Sequence, residues 1–177
     1  MFSLNTKLAF GFTAVALVSV PSTGQADPKG KHCKELQGPF SSVTVPAPPC
    51  TSPVGLCTHG VLAGPMRNAS YDFTVQTITP SPTDPTVLIA VGTSIVTTDR
   101  GQMLTDDVSI LRLTGPAPTD PVIFVTTATV TSGTQHWKHT AGQFVASGVL
   151  SFATGQAQGS YTASLCRGGN GRNDQGE

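Results

Sequence analysis

Between residues 56 and 167, short β-branched runs alternate with Gly, Pro and Asp, and no apolar stripe of helical period follows a capping residue. Such a chain has little to build with except strands. The runs are residues 56–63 (LCTHGVLA), 71–79 (YDFTVQTIT), 86–98 (TVLIAVGTSIVTT), 103–113 (MLTDDVSILRL), 122–132 (VIFVTTATVTS), 143–153 (QFVASGVLSFA) and 159–166 (GSYTASLC). Residues 86–98 exceed an ordinary strand, and Gly92 is where such a run would bend or bulge. Nineteen Gly and fourteen Pro add to the case against a helical bundle.

Two stretches repeat each other. Residues 80–85 (PSPTDP) and 116–121 (PAPTDP) are nearly the same loop, and each introduces a Val/Ile/Thr run. Two copies are too few for a solenoid. They fit equivalent loops at one end of an antiparallel meander, with the short turn around Gly101 at the other end. Residues 27–55 are rich in Pro and polar residues and read as an extended lead segment outside the domain, because Pro46, Pro48, Pro49 and Pro53 disfavour regular pairing. Residues 168–177 (GGNGRNDQGE) hold no apolar side chain and read as a loose tail. The domain is therefore expected over residues 56–167.

Residues 1–26 read as a secretory signal peptide. Lys7 precedes the apolar run 8–20 (LAFGFTAVALVSV), and Gly24 and Ala26 suit the small positions of a cleavage site. The run falls short of the roughly 20 residues that cross a bilayer. The expected product is a secreted or periplasmic protein with no membrane segment after cleavage. Ten basic and ten acidic residues cancel, and charged residues make up only 11% of the chain. That balance argues against nucleic-acid binding and against a polybasic membrane patch.

Seven or eight antiparallel strands in this length leave a sandwich or a closed barrel. The cysteines favour the barrel. Cys57 opens the first expected strand and Cys166 closes the last, and in an up-and-down barrel of even strand number those two positions are neighbours. A Cys57–Cys166 disulfide would staple the seam and restrict the unfolded chain by roughly 4–5 kcal/mol in the loop-entropy account. Cys33–Cys50 would then pin the lead segment, although four cysteines allow three connectivities. A zinc site built on Cys50, Cys57 and His59 is the weaker alternative, because exported thiols usually oxidise. No metal and no cofactor is expected.

The pattern resembles the allene oxide cyclase / dirigent-like barrel superfamily, and within it the exported allene oxide cyclase barrel-like proteins. The likeness is carried by residues 59–64 (HGVLAG), 98–107 (TDRGQMLTDD) and 141–150 (AGQFVASGVL), the last running through Gly155 into 159–166 (GSYTASLC). The family has a Gly-x-Phe-x-x-x-x-Gly-x-Leu segment followed by a Gly-x-Tyr strand that ends the barrel. Here the preceding Thr-Gly is shifted to Thr140-Ala141-Gly142, and Ala163 stands where a second glycine is common. The resemblance implies an all-β, closed, antiparallel, eight-stranded up-and-down (calycin-like) barrel with a central cavity. It also implies relatives that act as cyclases or stereochemical guides by holding a reactive apolar intermediate in one shape.

Few side chains suggest chemistry. In residues 103–113, Leu104, Asp106, Val108, Ile110 and Arg112 share a face that is apolar in its middle, so that face is expected inside. Asp106 and Arg112 would sit about 20 Å apart, at opposite ends of the lumen, or at its rims in water. Tyr71, Phe73, Phe124, Phe144, Phe152 and Tyr161 are the candidate ligand-lining residues, and they could equally fill the core. If the protein is an enzyme, Asp106, Arg112, Tyr71 and Tyr161 are the candidate catalytic residues, acting on a polyene or ketone. The stretch His136-Trp137-Lys138-His139 reads as a solvated loop with one anchoring Trp, and Asn68-Ala69-Ser70 is a glycosylation sequon. No nucleophile elbow, phosphate-binding loop or dinucleotide fingerprint is present. Three functions follow: a secreted barrel binding a small apolar molecule, an isomerase or cyclase of the same fold, and an interaction protein with a filled barrel.

Overall fold

The computed structural model describes residues 32–117 and 119–168, so the leader expected at 1–26 and nearly all of the tail expected at 168–177 lie outside it. Eight strands follow in chain order: β1 (His32–Val45), β2 (Cys57–Leu62), β3 (Ala69–Pro80), β4 (Val87–Thr98), β5 (Gly101–Leu113), β6 (Val122–Gly133), β7 (Thr140–Ser151) and β8 (Gln156–Arg167). Each pairs antiparallel with the next, and β1 pairs with β8, which closes the sheet into an up-and-down barrel. The strands form where the sequence is β-branched, and they end where Pro, Gly or Asp interrupts it.

The repeated loops 81–86 and 114–121 lie at the same end, with the 152–155 turn and the proline-rich connection 46–56. We call this the proline end. In each repeat an aspartate accepts backbone hydrogen bonds, Asp84 from Thr86 (2.9 Å) and Asp120 from Ala117 (2.8 Å). The opposite, terminal end holds both ends of the described chain, the Asp99-Arg100 turn, and two short 3-10 turns, Gly64–Met66 and Gln135–Trp137. Run 86–98 is one continuous strand. The irregularity is on its partner, where the β3 register shifts between Val75 and Thr77, opposite Gly92 and Val91.

The lead segment is not outside the domain. Nearly half of it is β1, in register with β8 from His32↔Arg167 to Val43↔Gln156. The four prolines that argued against pairing fall after Val45, in the β1–β2 connection. Counting β1 as the first strand changes the cysteine pairing. Cys33 lies opposite Cys166 across the seam, and their sulfurs are bonded at 2.08 Å. Cys50 bonds Cys57 and ties down the proline-rich connection. The expected Cys57–Cys166 and Cys33–Cys50 pairs are thus replaced. The first strand is stapled to the last, but the first strand begins 25 residues before Cys57. Ser52 also holds that connection against the wall, donating to the Val75 carbonyl at 2.5 Å and accepting from the Leu56 N–H at 3.1 Å.

The two bridges close loops of very different length, 133 against 7 residues. The entropy model then assigns about 5 kcal/mol to the seam bridge and about 2 kcal/mol to the connection bridge. Urea unfolding of the Cys33→Ser/Cys166→Ser and Cys50→Ser/Cys57→Ser proteins should therefore show the larger loss in the former. Equal losses would mean that seam closure does not depend on the bridge.

Candidate functional site

Inward-facing rows make the lumen, and their large aromatics sit opposite residues without side chains. Phe40 faces Gly159, Tyr161 faces Gly38, Tyr71 faces Gly60 and Phe124 faces Gly148. The fit is close: a Cβ on Gly60 would lie 2.4 Å from the Tyr71 ring, and one on Gly38 would lie 3.1 Å from the Tyr161 oxygen. Phe40 meets Phe124 edge-on at 5.9 Å and Tyr71 at 6.4 Å. Because glycine and alanine occupy so much of the inner wall, the aromatics do not fill it. A cavity of about 130 Å³ remains. Its lining is mostly apolar and reaches Thr44, Leu56 and Thr58, all partly exposed at the proline end. The terminal end is closed by Leu36, Met66, Met103 and Leu165, with Trp137 packed against them.

One wall of this cavity is polar. Asp107 on β5 points inward and is 3% exposed. Ser94 on β4 donates to Asp107 Oδ2, and Thr105 donates to Oδ1 at 2.5 Å. Ser109 and Thr126 share a hydrogen bond of 2.6 Å further along the same wall. Burial pushes the Asp107 carboxyl above its ordinary value, the two hydroxyls offset part of that rise, and the charge of Asp106 adds to it. Burial also raises the Tyr71 phenol; Ser42 beside it works against the rise, and the charge of Asp107 adds to it. The lumen thus presents a phenol and a carboxyl, each with its neutral form favoured, in apolar surroundings. This arrangement can donate a hydrogen bond to a ligand oxygen, or pass a proton to or from a bound molecule.

Of the residues the sequence singled out, Tyr71, Phe73, Phe124, Phe144 and Tyr161 border the cavity. Phe152 does not; it lies in the β7–β8 turn and is 44% exposed. Asp106 and Arg112 are not in the lumen either. The face carrying them, with Leu104, Val108 and Ile110, is the outer one, and these three apolar side chains are 40%, 46% and 52% exposed. Arg112 reaches Asp84 on the outside, at 3.2 Å. Tyr161 is engaged structurally. Its phenol donates to the Ala63 carbonyl at 2.7 Å and holds the β2–β3 loop, while burial raises its pKa. The structure adds Asp107, Ser94, Thr105, Ser42 and Phe40 to the site.

A signal for the correct face was present. The two-residue turn Asp99-Arg100 pairs Thr98 with Gly101, so Gly92 in mid-strand falls beside Asp107, and Ser94 beside Thr105. A glycine placed under an aromatic marks the inner face. A Cβ on Gly92 would come 2.7 Å from the Phe73 ring. Asp107 follows on that face. The 134–139 loop is as expected, with the Trp137 indole donating to Thr98 at 2.8 Å. Asn68 of the sequon is exposed, at a left-handed φ of 58°. Cys50 and Cys57, considered above as metal ligands, are bonded to each other. No protein family, curated protein or solved structure matches the chain.

The Asp107 carboxyl binds its proton more tightly in the folded barrel than in the unfolded chain, because its pKa is raised. The stability this confers is complete below the ordinary carboxylate range, near 3.9, and fades as pH rises through the folded-state value. Asp107→Asn removes the effect. Urea unfolding measured upward from about pH 3 should therefore fall less steeply for the variant than for the parent. Identical slopes would show that the carboxyl is not buried in solution.

Proposed function

We propose that this protein is a secreted β-barrel that holds a small, mostly apolar molecule, roughly one ring in size, with a single polar group directed at Asp107. The observation that carries the reading is the buried carboxyl on the wall of an otherwise apolar void. A carboxyl in such a place costs stability, and groups held there with perturbed pKa values concentrate at functional sites. The size supports a small ligand. A dry apolar cavity of about 150 Å³ is known to take benzene, and the lumen here is close to that volume. Export is supported by the leader pattern of residues 1–26 and by two disulfides. No helix among the described residues is long and apolar enough to cross a membrane. The outer wall is polar on β8, β1 and β3, where Gln158, Thr162, Gln37, Asp72 and Gln76 point outward, and carries exposed apolar side chains on β4 to β7, among them Ile95, Val108, Ile123 and Val145.

A second reading is an isomerase or cyclase of the allene oxide cyclase-like type. It is favoured by the influence of Asp107 on the Tyr71 phenol. In that reading Tyr71 donates to a ligand oxygen and Asp107 takes or returns a proton, and the aromatic walls impose the shape. Asp107 takes the place that the sequence pattern gave to Asp106.

Thermal unfolding with a panel of ring-sized compounds tests the binding reading. At saturating concentration a specific ligand adds RT ln(1 + [L]/Kd), about 2.7 kcal/mol at a hundredfold excess over Kd, and raises the melting temperature by several degrees. Phenol, cyclohexanone and cyclohexylamine vary the polar group at constant ring size. The shift should disappear in Ala128→Phe, which fills the void, and should change its ranking among the three compounds in Asp107→Asn. No shift with any such compound would leave the barrel a scaffold with a spare void.

A further inference from the structure

Charge is distributed unevenly along the barrel. The described residues include six Lys and Arg: Lys34, Arg67, Arg100, Arg112, Lys138 and Arg167. Arg112 is at the proline end, paired with Asp84. Of the other five, Lys34, Arg67, Arg100 and Arg167 line a single groove of about 310 Å³ at the terminal end. The fold places them there. Lys34 and Arg167 lie two residues beyond Leu36 and Leu165, so each continues an inward-facing row past the apolar plug, onto the mouth of the barrel. Arg67 comes from the β2–β3 loop at a left-handed φ of 54°, and Arg100 from the β4–β5 turn. The groove floor is apolar: Leu36, Pro65, Met66, Leu165 and the half-buried Trp137.

Among the described residues the cations of the groove outnumber its acid. Asp99 is the carboxylate lining the groove, and it stands 3.9 Å from Arg67. Glu35, the neighbour of Lys34, points to the outer wall and accepts a hydrogen bond from Ser164 there. His136 lies against Arg167 at 3.4 Å, and its backbone N–H binds the Arg100 carbonyl at 3.1 Å. Burial first, and then the charges of Arg167 and Arg100, press the imidazole below its ordinary value, while Asp99 pulls the other way. Among the described residues, three guanidinium groups and one ammonium face this space with a single carboxylate, an arrangement that favours an added anion. Guanidinium forks match the oxygens of a phosphate or sulfate, and the indole and methionine below offer an apolar seat.

We propose that the terminal mouth of the barrel is a second binding site, separate from the lumen, for an oxyanion ester carried on an aromatic or apolar body, the oxyanion held by Arg100, Arg167 and Lys34 and the body resting on Trp137. It does not depend on the lumen reading, since the plug of Leu36, Met66, Met103 and Leu165 lies between the two spaces.

Proton–nitrogen NMR of the intact oxidised protein tests it, with phenyl phosphate and phenyl sulfate as probes at ionic strength matched by sodium chloride. The Trp137 indole signal should shift saturably with one or both esters, and the two arms distinguish phosphate from sulfate recognition. The His136 imidazole should then titrate at higher pH, as the bound anion offsets the guanidinium charges. Arg100→Gln and Arg167→Gln should each weaken binding about tenfold, while Arg112→Gln, at the opposite end, should leave it unchanged. Arg100 and Arg167 are exposed, so these variants should keep the parent melting temperature. The proposal is overturned if neither ester shifts the indole beyond the salt control, if phenol shifts it as strongly as the esters do, or if the arginine variants bind like the parent.

Discussion

Pairing of β1 with β8 is the contact on which the rest of the structure depends. Seven strands joined in sequence would leave two open edges and no enclosed space. The eighth strand turns the sheet into a wall, and twelve residue pairs along the seam, with the Cys33–Cys166 bond near one end, fix its register. Register matters because a slip of β1 by one residue would turn Leu36 and Phe40 out to solvent and bring Glu35 and Ser41 inside. A disulfide between directly opposite residues excludes that slip.

Closure alone does not leave a void. The void follows from the match between aromatics and glycines on the inner wall. Phe40, Tyr71, Phe124 and Tyr161 each have a cross-strand neighbour with no side chain against which to lie, and this uses the glycines to seat the rings along the wall instead of across the axis. The space that remains is small and largely apolar, and its one polar wall is a carboxyl held by two hydroxyls. The same arrangement accounts for Gly148 and Gly159, which pair with each other across β7 and β8, one opposite Phe124 and the other opposite Phe40.

Much of this was legible before any coordinates. The strand runs, the two equivalent proline loops and the tight turn at Gly101 follow from punctuation and residue type, and so do five of the six aromatics bordering the lumen, whereas the closed barrel was expected from the resemblance and from a Cys57–Cys166 staple that is in fact Cys33–Cys166. Two features were not. β1 escaped because HCKELQGPFSSVTV is polar on its outward positions and is followed at once by prolines, so its period of two is hidden inside a stretch that composition marks as a linker. The β5 face was inverted because both faces are apolar in part. The usual rule assumes that the more apolar face is inside, whereas here Leu104, Val108 and Ile110 are outside and the inner face carries Thr105, Asp107 and Ser109. A buried polar wall defeats hydrophobic patterning, and that wall is the candidate site.

Joining the first strand to the last has a temporal cost. In an up-and-down ribbon, strands two to seven can zip onto their predecessors as the polypeptide emerges. The edge of β1 that belongs to β8 stays unsatisfied until the twelve residues of β8 arrive, so the slowest contact to form is the one that encloses the interior. Until then the growing molecule is an open, curling sheet with a bare rim. The sparse apolar content of that rim, Glu35, Gln37 and Ser41 among its outward residues, keeps it from recruiting strangers while it waits.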